Sequence, residues 1–226
     1  MAEKIVIAID GPAGSGKSAL AKALAKELGY IYLDTGAMYR AVTFLSIRKN
    51  IFNDEDAVAE LARKVEIKLL NENDNTKVLL DDIDVTDKIR SKEVNSRVSN
   101  ISKIPDVRKA MVEAQRKLAA EHNIIAEGRD TTTIVFPDAD IKVFLTASLD
   151  TRAERRYKEY TAAKSDITID EVKENIIERD RIDSQREVSP LKKAHDAYEI
   201  DSTNLNIREE VEKILEKVES LKTKSS

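Results

Sequence analysis

The run Gly11-Pro12-Ala13-Gly14-Ser15-Gly16-Lys17-Ser18 satisfies G-x-x-x-x-G-K-[ST] at every fixed position. An apolar run, Ile5 to Ile9, precedes it and reads as a buried strand. Ala19 to Leu28 follows it and reads as a helix. Strand, glycine loop and helix are the context the pattern requires. The glycines let the backbone turn its N–H groups inward around a polyphosphate, and the helix N-terminus adds partial positive charge. Lys17, read as an exposed loop lysine, is placed to reach β- and γ-phosphates, and the Ser18 hydroxyl to ligate Mg²⁺. All eight residues of the loop are therefore candidates for binding a nucleoside triphosphate.

The rest of the chain alternates strand and helix patterns. Leu20, Leu24 and Leu28 form one helix stripe that Gly29 closes. Further strands are predicted at Tyr30–Leu33, Ile124–Ala126, Ile141–Leu145 and Ala197–Ile200. Helices are predicted at about 37–48, 55–64, 91–102 and 105–122, and a helical hairpin at 149–164 and 168–182, hinged near Ser165-Asp166. Residues 65–85 change character: Val65, Ile67 and Leu69 alternate with other residues, Asn71–Asn75 is a turn cluster, and Lys77–Leu80 returns. This predicts an α/β fold, a doubly wound five-stranded parallel sheet with a small antiparallel insertion. Leu221–Ser226 reads as a polar tail.

A net charge of −4 argues against a nucleic-acid polymer or a membrane as partner, so any anion site must come from local arginine clustering. Arg152, Arg155 and Arg156 share one predicted helix face, and Arg179, Arg181 and Arg186 crowd the end of the next helix. With Arg40, Arg108 and Arg129 they suit phosphoryl transfer, whose charge develops on equatorial oxygens that guanidinium forks neutralise. The chain has no cysteine, which excludes disulfides and thiolate metal sites. His122 and His195 lack partners at metal-ligand spacing. Met1–Lys4 leads straight into the first strand, and no segment approaches the ~20 apolar residues of a membrane span. The expectation is a cytoplasmic monomer.

Ligands of a parallel sheet bind beyond the strands' carboxyl ends. The glycine loop, Asp34-Thr35-Gly36, Gly128-Arg129-Asp130 and Asp201-Ser202-Thr203 all fall at such ends. Together with Leu33–Arg40, Glu127–Asp130, Val135–Ala139, Phe144–Ser148, Arg152–Arg156 and Arg179–Arg186, they resemble the bacterial cytidylate kinases from first strand to last helix. The resemblance implies one P-loop kinase domain over residues 1–226, using Mg²⁺ and ATP to phosphorylate CMP or dCMP. Its core would be 1–35, 109–150 and 168–226, its nucleotide-binding insertion about 36–108, and its helical lid about 151–167. It also implies that Ser99, Arg108 and Asp130 meet the cytosine edge, and that Asp183 with Arg179 holds the ribose. Arg40, Arg129 and Arg186 would hold the α-phosphate, with Thr35 keeping the hydroxyl of the more usual serine. Lys17, Arg129, Arg152, Arg156 and Arg186 are the implied catalytic set. In one departure, Thr132 stands where the family usually has a glycine.

Two other readings remain open at the level of sequence. One is a P-loop kinase for a different nucleoside monophosphate or small metabolite. The other is a nucleotide-dependent switch, although the chain carries no N-K-x-D base-reading element.

Overall fold

A computed structural model describes residues 4–72, 75–162 and 167–224. Five strands form a parallel sheet: β1 (Val6–Asp10), β2 (Ile31–Asp34), β6 (Ile124–Gly128), β7 (Ile141–Thr146) and β8 (Tyr198–Asp201), in the order β2-β6-β1-β7-β8. β1 alternates its side chains between two cores, as a strand covered on both faces must. Ile7 and Ile9 pack with Leu20 and Leu24 of α1 (Lys17–Leu28) and with Ile214 and Val218 of α8 (Ile207–Lys224). Ala8 faces the other way, into a core with Met38 and Val42 of α2 (Thr35–Arg48), Val58 of α3 (Glu55–Lys64) and Met111 of α5 (Pro105–Glu121).

The insertion is a three-stranded antiparallel sheet, β3 (Ile67–Glu72), β4 (Asn75–Leu80) and β5 (Ile83–Asp84). It docks through Val78 and Leu80 on Ala37 and Ala41 of α2. β3 and β4 stay paired out to Glu72 and Asn75, further than the turn cluster suggested. Residues 73–74, at the tip of that cluster, lie outside the described residues. So do 163–166, where the hairpin's hinge was expected, and 225–226 of the tail. α4 (Lys92–Ile101) leads back to α5, and α6 (Leu149–Ala162) pairs with α7 (Ile169–Gln185) through Ala153, Val172 and Ile176. Thr168 starts α7 with a capping box to Glu171.

Parallel register brings the strand ends to one edge. Asp10 stands beside Gly128 and Phe144, Asp34 beside Glu127, and Thr146 beside Asp201. The polar segments predicted to share a cleft therefore do share an edge of the sheet.

Candidate active site

The glycine loop leaves β1 at Gly11, whose φ of 153° suits glycine; a Cβ there would lie 2.0 Å from the Leu145 carbonyl oxygen. Gly16, at φ 97°, caps α1 and aims the helix N-terminus into the loop. Two acids brace the surroundings, Asp180 on the loop itself and Asp10 on the turn beside it. Asp180 accepts from the Ala13 backbone N–H at 2.9 Å and pairs with Arg152. Asp10, fully buried, accepts from both N–H and both hydroxyl groups of Thr131 and Thr132 at 2.6–2.9 Å. Burial pushes the Asp10 carboxyl upward, against those four bonds.

Those bonds account for Thr132. Residues Thr131–Val135 wind into one π-helical turn, and Thr132 does not have the positive φ that would call for glycine. Its hydroxyl is instead a strut between β1 and the turn that carries Asp130. Thr132→Gly is expected to cost about 1–3 kcal/mol, from a lost hydrogen bond and a freer unfolded backbone. The check is thermal unfolding: Tm should fall by several degrees, and an unchanged Tm would remove the strut.

Lys17 differs from its expectation as an exposed loop lysine. It is the first residue of α1 and only 4% exposed, because its Nζ folds back to donate to Pro12 O at 2.7 Å and Ser15 Oγ at 3.3 Å. Burial, then the Arg129 charge, pulls its pKa down to about 7. Ser18 Oγ donates to Glu127 Oε1, which also accepts from Tyr32 Oη at 2.7 Å. A hydroxyl and a carboxylate oxygen thus meet at the start of α1, a set of hard donors that fits a Mg²⁺ keeping most of its waters.

Loop, strand ends and hairpin enclose a cavity of about 490 Å³. It is lined by Gly14, Gly16, Lys17 and Ser18, and by every residue the sequence reading assigned to substrate: Thr35, Arg40, Ser99, Arg108, Arg129, Asp130, Arg179, Asp183 and Arg186. Contacts among them run in a row. At one end Asp130 is paired with Arg108, whose guanidinium lies 5.3 Å from the Tyr39 ring centroid. Arg186 comes next, 3.7 Å from Asp130 and 3.9 Å from Asp183, with its Nε on Ser189 O. Asp183 accepts from Arg129 Nε at 2.7 Å. Burial raises the Asp183 pKa, but Arg129 and Arg179 pull it below the usual carboxylate value overall. Arg40 pairs with Asp34 at 2.9 Å, and Thr35 Oγ1 donates to Glu127 O at 2.7 Å.

The three arginines of α6 part company. Arg156 faces the cavity, bonded to Glu159 at 2.7 Å and 5.0 Å from the Tyr160 ring centroid. Arg155 lines it too, bridging Ser15 O and Ser202. Arg152 does not. Its guanidinium lies beneath the loop, on Ala147 O, Ala13 O and Asp180, so its contacts are those of a loop support. A shared helix face could not separate these fates, because they are set by partners on other segments: Ala13, Ala147 and Asp180 for Arg152, Ser15 and Ser202 for Arg155. Glu127 and Asp180 had no role in the sequence reading, because their contacts to the loop span 109 and 167 positions and leave no local signal.

The family profile described as Cytidylate kinase matches residues 7–220. The chain belongs to the cytidylate kinase family. Relatives of that name include one from Carboxydothermus hydrogenoformans, 47% identical over 93% of this chain and 95% of its own length. Another, from Bacillus subtilis, is 46% identical over 97% of this chain and 98% of its own. The solved structure of an uncharacterized protein from Eubacterium ventriosum shares the fold at 15% identity and a TM-score of 0.54, covering 96% of this chain and 99% of that one. Membership in the cytidylate kinase family makes the chain a P-loop nucleotide kinase. Among the described residues no helix is long and apolar enough to cross a membrane.

Proposed function

We propose that the protein transfers the γ-phosphoryl group of Mg·ATP to CMP or dCMP, giving ADP and CDP or dCDP, as a cytoplasmic monomer. The observation that carries this reading is the crowding of Arg40, Arg129, Arg156 and Arg179 around one cavity beside Lys17. Burial, then Arg129, with Arg40 and Arg156 adding to it, drags even the Arg179 guanidinium down to about 10. Asp34, Asp183 and Glu159 pair with three of these arginines but do not offset the crowding at Arg179 and Lys17, and such a site favours a highly charged anion. Two nucleotides meeting end to end would supply one.

In that reading an oxygen of the acceptor's phosphate attacks the γ-phosphorus, and the bond to the bridging β-oxygen breaks with its electron pair leaving on ADP. The attacking oxygen is already anionic, so no strong base is needed. Lys17 follows the phosphates, Arg129, Arg156 and Arg186 neutralise developing charge, and Arg152 acts from below by fixing the loop. Ser18 and Glu127 would hold Mg²⁺, which when bound neutralises the β- and γ-oxygens. Arg40 and Thr35 flank the acceptor phosphate, Arg179 and Asp183 the ribose, and Ser99, Arg108 and Asp130 the base. Residues 36–108 serve as the acceptor-binding part. The hairpin near 151–167 closes over the site, excluding water during transfer. Incubation with Mg·ATP and CMP should yield ADP and CDP in equal amounts; ADP without CDP would rule the reading out.

Asp183 gives a separate test. Asp183→Ala removes a ribose acceptor and leaves Arg129 without its 2.7 Å partner. KM for CMP should rise about tenfold or more while KM for ATP stays nearly constant. The loss should differ between CMP and dCMP, since dCMP lacks one hydroxyl. Unchanged kinetics with both acceptors would take Asp183 out of the site.

A further inference from the structure

The end of the cavity away from Asp130 is lined by Arg155 and by Leu205, Ile207 and Glu210, at the start of α8. Glu210 is only 3% exposed, and its Oε2 is buried with no hydrogen-bond partner among the described residues. Arg155, from α6, is the charged group whose field Glu210 feels. The Arg155 hydrogen bonds, however, go to Ser15 O, Ser202 Oγ and Ser202 O. A buried polar atom without a partner is costly, and its persistence in a cavity wall marks a place where a ligand completes the bonding. Burial pushes the Glu210 carboxyl up to about 7, with Arg155 offsetting part of the shift.

We infer that Glu210 reads the amine-bearing edge of the donor nucleotide's base. The inference rests on the function proposed above: with the triphosphate on the glycine loop and the acceptor at the Asp130 end, the opposite end is left for the donor's base. Leu205 and Ile207 offer that base an apolar wall, and Glu210 the polar contact. A carboxyl oxygen accepts from an exocyclic amine. In the neutral acid the O–H also donates to the neighbouring ring nitrogen, and adenine presents that donor–acceptor pair. The ionised form would set its charge against the nitrogen lone pair and lose the second bond. Glu210 is thus a specificity residue for an adenine donor, and its neutral form binds better.

The test is calorimetric titration of Mg·ATP into wild type, Glu210→Gln and Glu210→Ala, at about pH 6 and about pH 8. Titration of the ligand and of Lys17 is common to all three proteins and cancels in the comparison. The wild type should weaken between the two pH values by up to about tenfold more than Glu210→Gln, whose amide keeps donor and acceptor at both. Glu210→Ala should bind Mg·ATP about fivefold or more weakly at the lower pH, with CMP affinity within about twofold of wild type. Parallel pH behaviour of wild type and Glu210→Gln would overturn the inference. So would equal losses of ATP and CMP affinity in Glu210→Ala, which would mark a structural role. A wild type that binds Mg·ATP but transfers nothing to CMP would defeat the proposed reaction and leave the Glu210 result standing by itself.

Discussion

Lys17→Ala is expected to lower kcat by between about a hundredfold and a few thousandfold, the equivalent of ~3–5 kcal/mol of lost charge stabilisation in a closed site. The lysine is buried at the start of α1 and holds Pro12 O and Ser15 Oγ, so its removal also loosens the loop. Fold and loop effects must therefore be separated. Circular dichroism and thermal unfolding should show a folded variant, since the cores on both faces of the sheet are formed by other residues. Near-normal turnover in that folded variant would contradict phosphoryl transfer at this loop. Lys17→Arg keeps the charge but not the compact point geometry, and should recover only part of the rate.

Asp130→Asn should change which base is accepted. Asp130 is 5% exposed, paired with Arg108 and near Arg186, so its carboxylate is fixed in a site that water does not reach freely. Facing the cytosine amine it accepts a hydrogen bond; facing the uracil carbonyl it sets lone pairs against negative charge. An amide can turn either face to the base. The variant should lower kcat/KM for CMP and narrow the CMP-to-UMP ratio by at least about tenfold, or ~1.4 kcal/mol. The two kcat/KM values at fixed Mg·ATP, in wild type and variant, give the answer. A ratio that does not move would mean Asp130 does not read the base.

The sheet was legible because short apolar runs alternate with helix-period segments, and the glycine loop announces both of its flanks. The edge of the sheet that faces the cavity was legible through polar segments at strand ends, which parallel register gathers there. Ser99, Arg108, Arg179, Asp183 and Arg186 stand on or beside helices, and their roles toward the substrate were reached only through the family resemblance. What escaped depends on contacts across the fold. The π-helical turn at Thr131–Val135 forms around Asp10, a residue 121 positions away from Thr131. The diversion of Arg152 follows from Asp180 on another helix, whereas the fold-back of Lys17 onto Pro12 O is local to the loop but is a side-chain conformation that the pattern does not specify. Nor does the sequence reveal the burial of Glu210 on α8. Its place beside Ile207 and Ile214 puts it at the margin of the apolar stripe, where periodicity cannot distinguish a core-edge acid from a solvated one.

The most direct measurement of the account is kcat/KM for ADP formation from Mg·ATP with CMP, dCMP, UMP, AMP and GMP supplied one at a time. Specificity for cytidine monophosphates predicts CMP and dCMP well ahead of UMP, and AMP and GMP at background. Equal rates across the set, or a purine monophosphate in the lead, would contradict it.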